Sequence, residues 1–217
     1  KGIDLILDAS QSGGHIPIDF EKMNLSALVL PGHKGLLGPQ GIGLTLLRED
    51  FAKKLLPYLF GGTGSVSESL TMPNFMPDKF EPGTPNIPGI YGLEKALQFI
   101  EETGVKEIQA HTNMLHQRFL EGLYEIQGKN LIRIPGKEGR ENSGVVSIDF
   151  CTMDNALVCN RLASRYGIMT RQGLHCAPIA HQCFGTEKSG TVRFSFGFFN
   201  RMEEIDRTLL AIQEILS

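Results

Sequence analysis

Residues 25–41 read LSALVLPGHKGLLGPQG, an apolar run followed by a turn rich in glycine. Apolar runs of this length bounded by Gly and Pro are typical of buried strands. Two similar runs, residues 3–7 and 42–47, lie on either side of it in the chain. All three are nearly continuous in apolar residues rather than alternating, which predicts a parallel or mixed sheet covered on both faces.

Beyond this sheet the pattern changes twice. Residues 57–90 are so rich in Pro and Gly that we expect a long loop without regular structure. Helical spacing then predicts two connecting helices, at 89–102 and 105–127. The remaining patterns predict strands at 131–134, 145–150, 168–170 and 191–196, and helices at 153–166 and 200–217. Residues 200–203 have the spacing of a capping box, which would begin the helix at 200–217. The chain thus divides into an α/β part (1–88), connecting helices (89–128) and a small α+β domain (129–217).

Composition excludes several classes of protein. The 217 residues are 41% hydrophobic and 21% charged, which is ordinary for a globular chain, and the net charge of −3 argues against a dedicated nucleic-acid binder. No apolar run approaches the roughly 20 residues that span a bilayer. The four cysteines are too few for a disulfide scaffold, so we expect free thiols and a cytoplasmic setting. The first residues, without Met, open into a strand-like run, and we expect a piece of a longer chain.

Asp8 and Lys34 each follow an apolar run, at the point where it ends in a turn of small residues. Ligands of open α/β sheets bind at the carboxyl ends of strands. An amine and a carboxylate placed there suit pyridoxal phosphate (PLP), whose pyridine nitrogen needs an acidic partner. The alternative is a turn-capping Asp and a solvated Lys.

A second group of reactive residues lies in residues 171–178, RQGLHCAP. Cys176 stands beside His175 and near Arg171, so its thiol has a route to a lowered pKa and to nucleophilic catalysis. An incidental thiol in a loop is the alternative. A zinc site from His175, Cys176, His181 and Cys183 has spacings that do not match structural zinc motifs, and we expect no metal.

Two further features admit a functional and a structural interpretation. Arg193 lies within the apolar run at 191–196, where its burial calls for an anion, either a substrate carboxylate or a structural Asp. Residues 61–65, GGTGS, could approach a phosphate, although a flexible loop is the default.

Four segments taken together resemble the class V aminotransferases, most closely the cysteine desulfurase and selenocysteine lyase-like branch. They are DASQ (8–11), GHKGLLGPQG (32–41), FEPGTPN (80–86) and RQGLHCA (171–177). The resemblance runs from residue 1 to the C-terminus. It implies the PLP-transferase type I fold, with this chain forming the C-terminal part of the large PLP-binding domain, a partial mixed sheet, and the whole small domain.

The resemblance also implies roles around PLP. Lys34 is similar to the Schiff-base lysine and proton shuttle, and Asp8 to the partner of the pyridine nitrogen. Gln11 resembles the residue that bonds the phenolic oxygen, and His33 the histidine that contacts the phosphate. The region of Gly62 and Thr63 resembles the segment that reaches the phosphate of the other subunit's cofactor, which implies a homodimer.

The remaining roles concern the substrate, cysteine or selenocysteine. Arg193 resembles the arginine that holds the α-carboxylate, with His175 and Arg171 as further substrate-binding residues. Cys176 matches the nucleophile that takes the substrate sulfur as a persulfide, leaving alanine and passing sulfur to an acceptor protein. The alternatives are a class V aminotransferase acting on a small amino acid, and a non-catalytic fragment without cofactor.

The sequence departs from this family pattern in three ways. Pro31 stands where the family often has Ser or Thr, and Leu174 where it commonly has a second His. Family members usually carry over a hundred further residues before the Asp8 strand. We therefore expect this chain to bind PLP weakly or not at all by itself.

Overall fold

The computed structural model describes residues 2–127, 132–135 and 144–217. The chain divides into two compact units, Lys1–Val105 and Lys106–Ser217. The finer division into a sheet domain, connecting helices and a small domain stays a prediction. Within the described ranges, no helix combines the length and apolar character needed to cross a membrane.

The first unit is built on a three-stranded mixed sheet. Its strands are β1 (Ile6–Asp8), β2 (Ala27–Pro31) and β3 (Gly43–Leu47), in the order β1-β2-β3. β1 runs parallel to β2, and β3 runs antiparallel to it, so the prediction of a mixed sheet is confirmed. The prediction that both faces are covered is wrong for β1 and β3, and it holds only in part for β2, where Leu28 is buried and Val29 is 39% exposed. Side chains of the outer strands are largely exposed, with Ile6 at 59% and Leu46 at 43%.

Two helices follow the sheet in this unit. The short helix α1 (Glu49–Lys54) was not predicted, because six residues give too little periodicity to detect. Residues 55–86 then form neither helix nor strand, which confirms the loop predicted at 57–90 except for residues 87–90, where α2 begins. The helix α2 (Ile87–Thr103) begins where Asn86 accepts a hydrogen bond from the Gly89 N–H at 3.1 Å.

The second unit packs helices on a four-stranded antiparallel sheet. Its strands are β4 (Ile132–Arg133), β5 (Val145–Phe150), β6 (Arg171–Gly173) and β7 (Thr191–Ser195), in the order β4-β5-β7-β6. The helices are α3 (Val105–Gln127), α4 (Asn155–Tyr166), α5 (Pro178–Phe184) and α6 (Met202–Leu216). Alternation in β5 sends Val146, Ile148 and Phe150 into the core. Fully buried side chains from the helices meet them there: Phe119, Leu123, Val158, Leu162 and Ile212.

Some predicted bounds in this unit are wrong. The strand expected at 168–170 forms three residues later as β6, because Gly167 turns left-handed and the Ile168 N–H closes the end of α4 on the Leu162 carbonyl. The helix α5 was not predicted. The expected box at 200–203 is displaced by one residue, since the Glu204 carboxylate accepts from the Arg201 N–H at 2.9 Å. Of the strand expected at 131–134, residue 131 lies outside the described residues.

Candidate active site

Asp8 and Lys34 lie at the same edge of the first sheet. Asp8 is in register with Val29 across the parallel pair β1–β2, and the Ala9 N–H continues the ladder to the Val29 carbonyl at 3.0 Å. β2 ends at Pro31, and the following turn, residues 32–36, carries Lys34. The carboxyl ends of these parallel strands therefore bring the carboxylate and the amine to one edge, where open α/β sheets bind ligands.

The Asp8 carboxylate is held in its ionised form. Its Oδ1 accepts from the Ser10 hydroxyl at 2.5 Å and from the Ser10 N–H at 2.9 Å. These two hydrogen bonds hold the pKa of Asp8 below its ordinary value against an opposing desolvation, and the positive charge of Lys34 adds a smaller lowering effect. Asp8 is thus a turn cap, as the structural alternative had it, and is also a charged carboxylate within the field of Lys34.

Close backbone packing fixes the turn that carries Lys34. The loop of residues 9–15 crosses this turn so tightly that a Cβ on Gly35 would lie 2.2 Å from the Gly13 carbonyl oxygen. A Cβ on Gly14, which has a φ of +81°, would lie 2.0 Å from the Gly35 carbonyl oxygen. Only glycine permits such an approach, so the two Gly-containing segments hold the Lys34 backbone in one place.

His15 belongs to this packing, although the sequence did not single it out. A Cβ on Gly35 would lie 2.5 Å from its Cδ2, so the ring borders the Lys34 turn. Its Nδ1 is buried without a hydrogen-bond partner, and burial lowers the pKa of His15. The pairing of His15 with Gly35 becomes visible only in the folded chain.

The other residues of this unit that are predicted to bind the cofactor are exposed to solvent or lie in irregular segments. Gln11 and His33 are exposed, as is Lys34 itself. In the irregular segment, Gly62 accepts from the Gly83 N–H at 2.7 Å, and the Thr63 hydroxyl lies 2.9 Å from that of Ser65. Nothing lies within 4 Å of a Cβ placed on Gly62. The roles of these residues toward PLP and toward a second subunit stay predictions.

In the second unit, the register of the sheet pairs two arginines. Arg171 on β6 faces Arg193 on β7, and Arg193 faces Ser147 on β5. Residues directly opposite in an antiparallel pair share a face, so the two arginine side chains leave the sheet on the same face. Arg193 is half-buried, and its Nε is buried without a hydrogen-bond partner. Adjacent cations with an unpaired buried donor favour an anion as their partner.

The turn between β6 and α5 carries His175 and Cys176. Both residues have left-handed φ angles, 51° and 60°, an uncommon pair for residues with side chains and one that clusters at functional sites. Cys176 is exposed with a free thiol. The His175 Nε2 lies 3.1 Å from the carbonyl oxygen of Thr191 and 3.0 Å from its hydroxyl. Burial, then the charge of Arg193, lowers the pKa of His175.

His181 is a further residue of this group. It is buried in α5, with its ring centroid 5.7 Å from that of His175. The sequence presented it only as a candidate zinc ligand. Among the residues that the structure describes, no group of three or more His, Cys, Asp or Glu side chains could hold a metal ion.

Comparison with known proteins places this geometry in context. A family model described as aminotransferase class-V matches residues 1–208. A probable cysteine desulfurase of Pyrococcus abyssi is 34% identical over 226 residues, which cover 100% of this chain and 53% of that protein. Another, of Aeropyrum pernix, is 35% identical over 225 residues, covering 100% of this chain and 54% of that protein. The chain spans about half the length of the curated relatives it matches.

Solved structures agree with the family match. The apo cysteine desulfurase of Thermococcus onnurineus superposes with a TM-score of 0.88 at 34% identity, over 99% of this chain and 53% of that one. The S-sulfonic acid form of an Escherichia coli cysteine desulfurase gives 0.87 at 26% identity, over 99% and 52%. The expected α/β fold of the PLP-transferase type I class is therefore confirmed for the part covered. Which half of the relatives the chain spans stays a prediction from its motifs.

Proposed function

We propose that this chain, which belongs to the aminotransferase class-V family, is part of a PLP-dependent lyase that takes sulfur from L-cysteine. The reaction would convert L-cysteine to L-alanine and leave a persulfide on the enzyme. The observation that carries this proposal is the ionised Asp8 carboxylate within the field of Lys34, at the carboxyl ends of two parallel strands. Relatives at 34% and 35% identity named as probable cysteine desulfurases support the choice of substrate.

The residues of the first unit fit the cofactor. PLP, when bound, supplies an electron sink that accepts the charge left by loss of the substrate α-proton. Asp8 would face the pyridine nitrogen, since hydrogen bonds from Ser10 keep the carboxylate charged whether or not a ligand is present. Lys34 would bind the cofactor through its Nζ and, once released by substrate, take the α-proton on that atom. Gln11, His33, Gly62 and Thr63 would contact the remaining polar groups of the cofactor.

The residues of the second unit suit the substrate and the sulfur. Arg193 offers a buried, unpaired Nε–H to an α-carboxylate, and Arg171 opposite it adds a second positive charge. The exposed Cys176 thiol, in its deprotonated form, would attack the substrate sulfur and retain it as a persulfide.

Assembly and location belong to the same proposal. We infer a homodimer in which Gly62 and Thr63 reach the partner's cofactor, and an acceptor protein that collects sulfur from Cys176. All four cysteines are free, which suits a reducing, cytoplasmic setting. Selenocysteine is the second substrate to test, since selenium replaces sulfur in the same bond.

The decisive experiment is to add PLP to the purified chain, reduce with borohydride and map the labelled peptides. We expect label on Lys34 and loss of that label in K34R, with the exposed Lys22 exchanged in a matched K22R control. Label scattered over surface lysines would refute the assignment of the cofactor site. We expect weak binding by this chain alone, and tight stoichiometric PLP would contradict that part.

Cysteine turnover separates the lyase from an aminotransferase. In the lyase, C176A loses alanine and sulfide formation while the Lys34 label is kept, because Cys176 acts only on the sulfur. Activity retained in C176A would instead indicate an aminotransferase. The exposed Cys183, exchanged in C183A, is the control for loss of any surface thiol.

A further inference from the structure

His181 is a buried imidazole to which the proposed function gives no task. It is only 7% exposed, and its Nδ1 lies 2.7 Å from the Thr186 hydroxyl. The rings of His181 and His175 are tilted by 46° at a centroid distance of 5.7 Å. Burying a polar ring is costly unless its contacts repay that cost, so these contacts are the place to look for its role.

The contacts of His175 fix which of its nitrogens carries the proton. The Nε2 of His175 lies 3.0 Å from the Thr191 hydroxyl, which can donate or accept, and 3.1 Å from the Thr191 carbonyl, which only accepts, so the carbonyl favours a hydrogen on Nε2. The other nitrogen, Nδ1, is buried and has no hydrogen-bond partner in the protein. In the neutral ring, Nδ1 is therefore a bare acceptor.

The surroundings of His175 oppose a second proton. The charged groups that act on the ring come from each element next to it, Arg193 from β7, His181 from α5 and Arg171 from β6. Burial first and then these three groups lower the pKa of His175, against the hydrogen bond to Thr191, which raises it. Protonation would also create a buried Nδ1–H without an acceptor.

The backbone at His175 leaves the ring dependent on its neighbours. Its φ of 51° belongs to a turn and not to a strand or helix that would orient the side chain. Thr191 contacts the ring at its Nε2, and the His181 ring lies beside it, tilted by 46°. Of these, His181 is itself fixed by Thr186, five residues further along the chain.

We propose that His181 is a positioning residue whose Thr186-held ring keeps His175 in the neutral, Nε2-protonated form, with Nδ1 as a proton acceptor in the field of Arg193 and Arg171. An amino acid supplies the matching groups, a carboxylate for arginine and an ammonium or thiol donor for Nδ1. The ligand assignment rests on the proposed function, whereas the positioning of His175 by His181 does not.

Nitrogen-15 NMR of the imidazoles tests the positioning on the chain without any ligand. In the parent chain we expect His175 to show a protonated Nε2, a bare Nδ1 and titration below the ordinary range for histidine. In H181A we expect mixed tautomers and a raised pKa of His175, because the His175 ring loses the side chain that covers it. H181F returns an aromatic ring beside His175 but not the hydrogen bond to Thr186, so it should restore the single tautomer only in part.

Two further variants keep this test sharp. T186V removes the hydrogen bond to His181 and should move His175 in the same direction, even if H181A folds poorly. Q182A changes an exposed neighbour on α5 and should leave the His175 signals as they are. A folded H181A or T186V with an unchanged tautomer and titration of His175 would overturn the proposal.

Kinetics give the second readout. In a preparation that turns over cysteine, H181A should raise KM about tenfold with kcat little changed, the effect of one substrate hydrogen bond worth about 1.4 kcal/mol. If the His175 NMR signals change in H181A but KM does not, the proposed contact between substrate and His175 is wrong. If no preparation labels Lys34 or consumes cysteine, the proposed function fails, while the NMR result still decides the positioning.

Discussion

Replacing Gly35 by Ala tests whether the crossing of two backbone segments holds Lys34 in place. The added Cβ would lie 2.2 Å from the Gly13 carbonyl oxygen and 2.5 Å from Cδ2 of His15. An ordinary contact between carbon and oxygen is about 3.3 Å, so one segment must move by about 1 Å. A shift of that size in a turn that positions a reactive group can lower a rate by about a hundredfold.

The stability effect follows from the same geometry. Overpacking usually costs about 1–3 kcal/mol, and a backbone oxygen cannot rotate away, so we expect G35A to lose about 3 kcal/mol. G62A is the matched control in the same unit. Its Cβ would meet nothing within 4 Å, and Ala in place of Gly restricts the unfolded chain, so we expect a gain of about 0.4–1 kcal/mol.

Urea unfolding followed by circular dichroism gives the two free energies. Hydrogen exchange of peptides covering residues 25–47 shows whether the loss of stability lies in the sheet and the Lys34 turn. We expect faster exchange there in G35A and the parent rate in G62A. Equal unfolding free energies for G35A and G62A, with equal exchange over residues 25–47, would refute the close crossing.

Two more variants test other parts of the structure. L162A removes a fully buried side chain on α4 and should lower the free energy of unfolding in urea by about 2–5 kcal/mol. L157A, at a residue that is 44% exposed on the same helix, should lower it far less. Similar losses in the two variants would contradict the placement of the core. S10A removes both the hydroxyl and its hydrogen bond to Asp8, so carbon-13 NMR should show the pKa of Asp8 rising toward its ordinary value. Because the pKa of Asp8 is depressed in the folded chain, the stability that Ser10 adds should be present near neutral pH and disappear as the pH falls through that pKa. A difference in unfolding free energy between S10A and the parent chain that does not change with pH would contradict this.

Local signals in the sequence predicted most of the elements. Short apolar runs marked all three strands of the first sheet, and helical spacing marked α2 and α3 to within two residues. The short helices α1 and α5 were missed because fewer than eight residues do not establish a period. β6 was displaced because its position depends on pairing with β7, and cross-strand register is a tertiary property.

The candidate site likewise has residues that the sequence could bring together and residues that only the fold brings together. Asp8 and Lys34 could be paired from the sequence because strand ends are local signals and parallel strands bring those ends together. The adjacency of Arg171 and Arg193 needed the register of β6 on β7. His15 had no signal of its own, and His181 had only that of a candidate zinc ligand, because the contacts of each with Gly35 or His175 form only in the folded chain.

The sequence by itself determined the strand ends, the family resemblance and the residue types available for chemistry, because these depend on composition and short-range order. The tertiary structure decided which strands are covered, which nitrogen of His175 carries its proton, and how closely Gly13 approaches Gly35. Those properties depend on packing distances of a few tenths of an ångström between segments far apart in the chain. Residues read one at a time do not contain such distances, whereas the folded backbone sets them all at once.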